Sequence, residues 1–312
     1  MDKIILFHMN QLGDLLFSLP VLQAIKKQYP DIKLYSVISP NLVELLESAK
    51  LVDKIFIKEK SFSKKFKLIR DIKKENIKTA LLFSESPETL ITAFCSNIKN
   101  RIGFKTSSLN FLLTDKADKI GVPSLLNNIS LAKKLGILNI KTDYTDIIQV
   151  DKNNNNADKW LKENNIKEKE FIVISMGASA RRQDKCLKNE VWVETINKLH
   201  SLNKKVVIAG AKWEKEYIET IVSKCDNLPK IYLPENGLTD MAVFIKKAKF
   251  FIGIDSGLMH LSASLGIKCI ALYGNTDPNQ IGPQPLNKHI IIKKNSTKDI
   301  GSNDIIEHVK NL

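Results

Sequence analysis

The chain lacks several features that would narrow its class at once. No apolar run in its 312 residues approaches the ~20 residues a membrane-spanning helix needs. The N-terminus shows no basic region followed by an apolar stretch and a small-residue cleavage site, so no signal peptide is expected. Only four cysteines occur, Cys95, Cys186, Cys225 and Cys269, and none forms a CxxC pair. Zinc ribbons and disulfide frameworks are therefore poor readings, and a reducing cytoplasm fits best. No DxD triplet occurs anywhere, so a metal-bridged diphosphate site of that type lacks its carboxylate pair. The GxGxxG dinucleotide fingerprint is absent after the first apolar run, which disfavours a Rossmann dehydrogenase.

Acidic residues are also under-represented. Lys and Arg number 48 against 34 Asp and Glu, a net charge of +14. Much of this excess reads as a bias towards Lys, Ile and Asn, visible in "KKENIK" and "DKNNNN". A basic surface still draws a protein to an anionic membrane face. The cations are scattered and not interleaved with aromatics in a recognisable nucleic-acid-binding module, so nucleic acid is not an expected partner. With 43% hydrophobic residues, a sizeable core is available.

What is present alternates. "IILFHM" (Ile4 to Met9), "KLYSVIS" (Lys33 to Ser39), "KIFIK" (Lys54 to Lys58) and "TALLFS" (Thr79 to Ser84) read as strands. Helical patterns separate them: residues 15–28 with Leu15, Leu16, Leu19, Leu22 and Ile25, "NLVELLESA", a basic segment near 62–75, and a helix after Pro87. Near Val150 the chain turns polar, and a short helix with Trp160 follows. The alternation then restarts with "EFIVISMG", "KKVVIAGAK", "KIYLP", "KFFIGID" and "KCIALYG". This order predicts an α/β protein of two domains, 1–150 and 151–312, each a parallel sheet covered by helices. Ligands of such sheets bind outside the carboxyl ends of the strands, so two facing units would form a cleft. The last segment, "NDIIEHVKNL", reads as a helix that can pack on either domain, the N-terminal one included.

Four strand-end loops carry candidate chemistry. In "NQLGDLLFSLP" (Asn10 to Pro20), Asp14 follows Gly13 where a strand turns into a helix; the carboxylate either caps the helix or does chemistry. "GIDSGLMHLSASLG" (Gly253 to Gly266) predicts a strand ending at Asp255, a turn at Ser256–Gly257, a helix from about Leu258, and Gly266 as its C-terminal stop. The partial positive charge at that helix start suits a phosphate. His260 could donate a further bond and Asp255 could accept from sugar hydroxyls. Equally, Asp255 could be a cap and His260 a packed histidine. "GASARRQDK" brings Arg181, Arg182 and Lys185, able to offset a departing diphosphate or simply solvated. "GAKWE" brings Glu214, a ribose acceptor or an ordinary first-turn glutamate. Singly, each motif has a structural explanation; all four at strand ends favour a nucleotide site.

These motifs resemble glycosyltransferase family 9, typified by the ADP-heptose:lipopolysaccharide heptosyltransferases. "LGDLLFSLPVLQAIKKQYP" (Leu12 to Pro30) is similar to the family's opening, and "GIDSGLMHLSASLGIKCIALYGNTDPNQIGP" (Gly253 to Pro283) to its C-terminal block. "RIGF" (Arg101 to Phe104) and "GAS" (Gly177 to Ser179) match as well, so the resemblance runs along nearly the whole chain. It implies a GT-B architecture, two Rossmann-like domains with the active site between them. It implies inverting, metal-independent transfer of a heptose from an ADP-sugar to a lipopolysaccharide-core or similar lipid-linked acceptor, with no cofactor and no metal. Asp14 corresponds to the family's general base. Gly13, Ser179, Lys185, Glu214, Asp255, Ser256, Gly257, Leu258 and His260 correspond to its donor site, with Lys185 at the diphosphate and Glu214 at the ribose. The family's K(R/H)WP reads "KCLK" here, which leaves Lys185 and Arg182 both open for the diphosphate. The location implied is the cytoplasm, peripheral on the inner membrane. The alternatives are another nucleotide-sugar donor, a sugar-nucleotide epimerase of similar architecture, and a non-catalytic sugar-nucleotide-binding protein. The sequence carries no motif that identifies the acceptor or the oligomeric state.

Overall fold

The structure, a computed structural model, describes residues 2–58, 61–150, 155–177 and 183–310. The chain divides into two compact units, Met1–Ile147 and Ile148–Leu312.

The first unit runs β1 (Lys3–Phe7), α1 (Leu12–Gln28), β2 (Lys33–Ile38), α2 (Val43–Ser48), β3 (Lys54–Ile57), α3 (Phe62–Lys74), β4 (Thr79–Leu82), α4 (Pro87–Cys95), β5 (Asn100–Phe104), β6 (Asp115–Ala117) and α5 (Leu125–Lys133). Its sheet has the order β3-β2-β1-β4-β5-β6, and every pairing is parallel. The second unit runs α6 (Asn156–Glu163), β7 (Phe171–Ser175), α7 (Asn189–Ser201), β8 (Lys205–Ala209), α8 (Lys215–Val222), β9 (Lys230–Tyr232), α9 (Gly237–Lys246), β10 (Phe250–Ile254), α10 (Gly257–Ser264), β11 (Cys269–Tyr273), α11 (Pro278–Ile281), β12 (Ile290–Lys293) and α12 (Ser302–Val309). Its sheet repeats the topology as β12-β11-β10-β7-β8-β9, again all parallel.

Helices on both faces bury the central strands completely. "FIVIS" in β7, "FFIGI" in β10 and "CIALY" in β11 are therefore continuous apolar runs rather than alternating ones. Ile174, Ile208, Ile252 and Leu272 meet Trp192 and Ile196 of α7 in the second core. Of the two domains open to it from sequence, the second takes the apolar side of α12. Ile305, Ile306 and Val309 join that core, and Lys198 Nζ on α7 donates to Ser302 Oγ at 2.9 Å.

Both strand orders reverse direction at one place: between β1 and β4 in the first unit, and between β7 and β10 in the second. Loops leaving neighbouring strands there diverge to opposite faces and open a crevice at the strands' carboxyl ends. Asp14 follows β1, Lys185 follows β7, and Asp255 follows β10, so three of the candidate side chains lie just past the strand ends at these two reversals.

Candidate functional site

In the first unit, α1 starts at Leu12, which makes Gly13 and Asp14 its second and third residues. A carboxylate in the first turn complements the helix dipole. Gln11, the N-cap, offers no side-chain bond. Asp14 is half-buried.

The ground beneath Asp14 is tightly tied. His8 follows β1 with its ring buried: Nδ1 lies 3.0 Å from Ser18 Oγ and Nε2 lies 3.0 Å from Ser36 Oγ. Ser18 Oγ spends its proton on the Leu15 carbonyl at 2.6 Å. It must therefore accept from Nδ1–H, and Ser36 must donate to Nε2, which fixes one neutral tautomer. Burial drives the His8 pKa down to about 3. Ser39 Oγ donates to Asn10 Oδ1 at 2.9 Å, joining the loops after β1 and β2. This network fastens the first turns of α1 to two adjacent strands. His8 is thus a buried positioning group, not a ligand-facing cation.

In the second unit, β10 ends on Asp255, and Ser256 is the N-cap of α10. Gly257 and Leu258 open the helix. Gly266 then stops it with φ of 73°, a conformation glycine adopts without strain. Lys185 closes the short 3-10 turn Gln183–Lys185 and crosses to Asp255: Nζ lies 2.5 Å from Oδ2 and 3.4 Å from the Asp255 carbonyl. The pair is well shielded, with side chains 14% and 5% exposed. Thr276 Oγ1 donates to the same Oδ2 at 2.9 Å. Thr297 Oγ1 donates to the carbonyls of Asp184 and Cys186, at 3.3 and 3.1 Å, and so clamps the backbone on both sides of Lys185. A cation is thereby held at the start of α10.

His260 is buried in the fourth position of that helix. Its Nε2 lies 3.9 Å from Asp255 Oδ1, too long for a hydrogen bond. Burial, aided by Lys185 and opposed by Asp255, brings its pKa down to about 4, so the ring is neutral at pH 7. Ser256 Oγ is buried and has no hydrogen-bond partner among the described residues. A buried hydroxyl without a partner is costly unless something else satisfies it.

Glu214 ends a 3-10 turn after β8. Its Oε2 accepts from the Ala211 amide at 2.7 Å, and burial raises its pKa. Gly177, after β7, is what makes room: a Cβ there would lie 1.7 Å from Glu214 Oε1. The carboxylate therefore already caps a turn, and its other oxygen faces the β7 loop.

The structure thus brings Lys185, Asp255, Ser256, Gly257, Leu258 and His260 together, with Glu214 packed against the adjoining loop. Ser179, Arg181 and Arg182 lie outside the described residues. Asp255, read from sequence as an acceptor for sugar hydroxyls or as a helix cap, has its Oδ2 engaged by Lys185 and Thr276. Sequence reasoning did not pick out Thr276, although it sits in the quoted "LYGNTDP"; Asp277 beside it caps α11 through the Asn279 amide at 2.9 Å. Among the described residues no group of three or more His, Cys, Asp or Glu side chains is placed to hold a metal ion, and no helix is long and apolar enough to cross a membrane.

The model of glycosyltransferase family 9 (heptosyltransferase) matches residues 65–310. The chain belongs to this family. It is therefore a glycosyltransferase, and its two Rossmann-like units are the GT-B architecture. Lipopolysaccharide heptosyltransferase 1 of Campylobacter coli is 24% identical over 305 residues, covering 88% of this chain and 84% of that protein. Among solved structures, a glycosyl transferase of family 9 from Veillonella parvula superposes with a TM-score of 0.88 at 17% identity, over 99% of this chain and 96% of that one. The Escherichia coli heptosyltransferase WaaC with ADP follows at 0.82 and 19%, over 99% of both chains. The family match begins after Asp14. That residue's assignment rests on its place at the first strand reversal and on the similarity of residues 12–30 to the family opening.

Proposed function

We propose that the protein transfers a heptose from ADP-heptose to a lipopolysaccharide-core or related lipid-linked acceptor, with inversion at the anomeric carbon and without a metal. One observation carries the donor half. Lys185 is held at the amino end of α10, where the buried Ser256 hydroxyl has no partner among the described residues. A diphosphate there accepts from Ser256, from the first amides of α10 and from Lys185. These are electrostatic contacts of the kind that gain strength as negative charge collects on a leaving group, each worth ~3–4 kcal/mol when well placed. The names of the curated relative and of the ADP-bound neighbour support the choice of donor.

In this reading the acceptor hydroxyl attacks the anomeric carbon from the face opposite ADP. The new carbon–oxygen bond forms as the bond to the β-phosphate breaks, ADP leaves, and Asp14 takes the hydroxyl proton. Base catalysis of this kind contributes ~10²–10⁴-fold. Lys185 serves the diphosphate. Asp255, held by Thr276, orients Lys185, and neutral His260 forms part of the wall. Glu214 shapes the neighbouring loop and presents Oε1 to the ribose side.

The test is acceptor-dependent release of ADP from ADP-heptose, measured with and without EDTA. Release only when acceptor is present, unchanged by chelation, supports the reading. Equal release without acceptor refutes transfer, and loss of activity in EDTA refutes metal independence.

A further inference from the structure

The chain has 13 phenylalanines. Nine are buried, at most 7% exposed. The other four are Phe62 (76%), Phe66 (59%), Phe94 (51%) and Phe111 (72%). All four belong to neighbouring pieces of the first unit: α3, α4 and the 3-10 turn Asn110–Leu112. These pieces share a core beneath them, in which Ile72, Leu90 and Ala93 pack with Leu113. Their outer sides are therefore the faces left to solvent. Ile91, 45% exposed, extends the apolar stripe along α4 towards Phe94.

The same outer face is strongly basic. α3, "FSKKFKLIRDIKK", carries six cations against one carboxylate, Asp71. At helical spacing Leu68, Ile69 and Ile72 turn inward while Phe62, Phe66, Arg70 and Lys73 share the outward side. The Phe62 and Phe66 rings contact each other edge-on, 4.8 Å between centroids. Asp71 lies 3.8 Å from both Arg70 and Lys74, and Lys65 pairs with Glu88 at 3.0 Å, which leaves Lys67 and Lys73 to dominate the outer charge. Beside the end of α3 is a depression of about 620 Å³ lined by Lys73, Phe94, Lys99 and Arg101. Exposed aromatics interleaved with cations, over a cationic hollow, match the interface of an anionic bilayer: rings enter the acyl boundary while ammonium and guanidinium groups meet headgroup phosphates. A protein partner of ordinary composition would not select for lysine, which interface cores deplete.

We propose that the outer face of α3, α4 and the Asn110–Leu112 turn docks the protein on an anionic lipid surface. The inference stands apart from the donor chemistry and bears on the acceptor only by placing the enzyme where a lipid-anchored acceptor lies. Each cation at such a surface adds about fivefold to partitioning, and the attraction weakens as salt shortens its range.

The test is co-sedimentation of the full chain with vesicles of phosphatidylcholine alone and of phosphatidylcholine with phosphatidylglycerol, at low and high salt. We expect binding only to the anionic vesicles, weakened by salt, and reduced about tenfold or more in F62S/F66S and again in R70E/K73E. These side chains are on the surface, so the variants should keep the wild-type Tm and its rise with ADP. Failure of wild type to bind anionic vesicles, or undiminished binding by both variants, overturns the proposal. So does a wild-type self-association in solution that F62S/F66S abolishes, because the face would then be an interface between copies. Failure of the transferase reading would be seen instead as no ADP release with a delipidated acceptor, an assay that needs no lipid surface.

Discussion

Replacing Lys185 by Met removes the countercharge of a carboxylate that is 5% exposed. Breaking a fully buried ion pair from one side costs about 3–5 kcal/mol, because the remaining charge stays desolvated and alone. Two features lower that figure here: Lys185 is itself 14% exposed, and Thr276 still donates to Asp255 Oδ2. About 2–3 kcal/mol is expected, a fall in Tm of roughly 5–10 °C for a unit of this size. D255N alone removes the carboxylate charge and keeps an amide that still accepts from Lys185, which is the more exposed partner, at a cost of about 1–2 kcal/mol. The double variant K185M/D255N contains no unpaired buried charge and should lie within about 1 kcal/mol of D255N, so the double-mutant cycle is strongly non-additive. Urea denaturation of the four proteins measures it. In parallel, ADP should raise the wild-type Tm and leave that of K185M nearly unchanged, since ligand stabilisation scales with affinity. Additive destabilisation by the two single variants would show that the pair does not form. A K185M protein stabilised by ADP as well as wild type would show that Lys185 is not at the diphosphate.

Two further outcomes follow from the packing. His8 and His260 have folded pKa values of about 3 and about 4, both below the 6.5 of the free side chain. Below pH 6.5 the unfolded chain therefore takes up protons that the folded chain refuses. Stability is full above that pH and falls as pH drops, by up to about 1.4 kcal/mol per unit for each histidine. A loss of order 3–5 kcal/mol between pH 6.5 and 4.5 is expected in urea titrations, with a shallower slope in H8Q; equal stability at both pH values would contradict the buried, neutral assignment. Gly177→Ala places a Cβ where Glu214 Oε1 now sits, so the carboxylate must swing out and release the Ala211 amide. About 1–3 kcal/mol of stability should go with it, together with about tenfold in ADP affinity by calorimetry; a G177A protein that binds ADP normally would remove Glu214 from the donor site.

Much of this was legible in the chain. Continuous apolar runs marked β1, β4, β7, β10 and β11, because strands buried on both faces need no polar alternation. Three strands carried too little signal. β5, "NRIGF", is interrupted by Arg101 and Gly103; β6 is three mostly polar residues; β12, "IIIK", is an edge strand embedded among lysines. All three form because a neighbouring strand offers a ladder, which is a tertiary cause invisible in a short window. At the site, Gly257, Leu258 and the helix they start could be read from "DSGLMH". The bond from Thr276 to Asp255 could not, since it spans 21 residues and depends on β10 and β11 lying side by side. The role of His8 was hidden for the same reason: its partners Ser18 and Ser36 come from α1 and β2.

The central claim is that Asp14 takes the acceptor proton, and Asp14→Asn tests it most directly. The amide nearly preserves size and can still occupy the first turn of α1. Acceptor-dependent ADP release should fall by ~10²–10⁴-fold, while the rise in Tm with ADP stays at its wild-type value. Turnover by D14N within a few-fold of wild type would contradict the account.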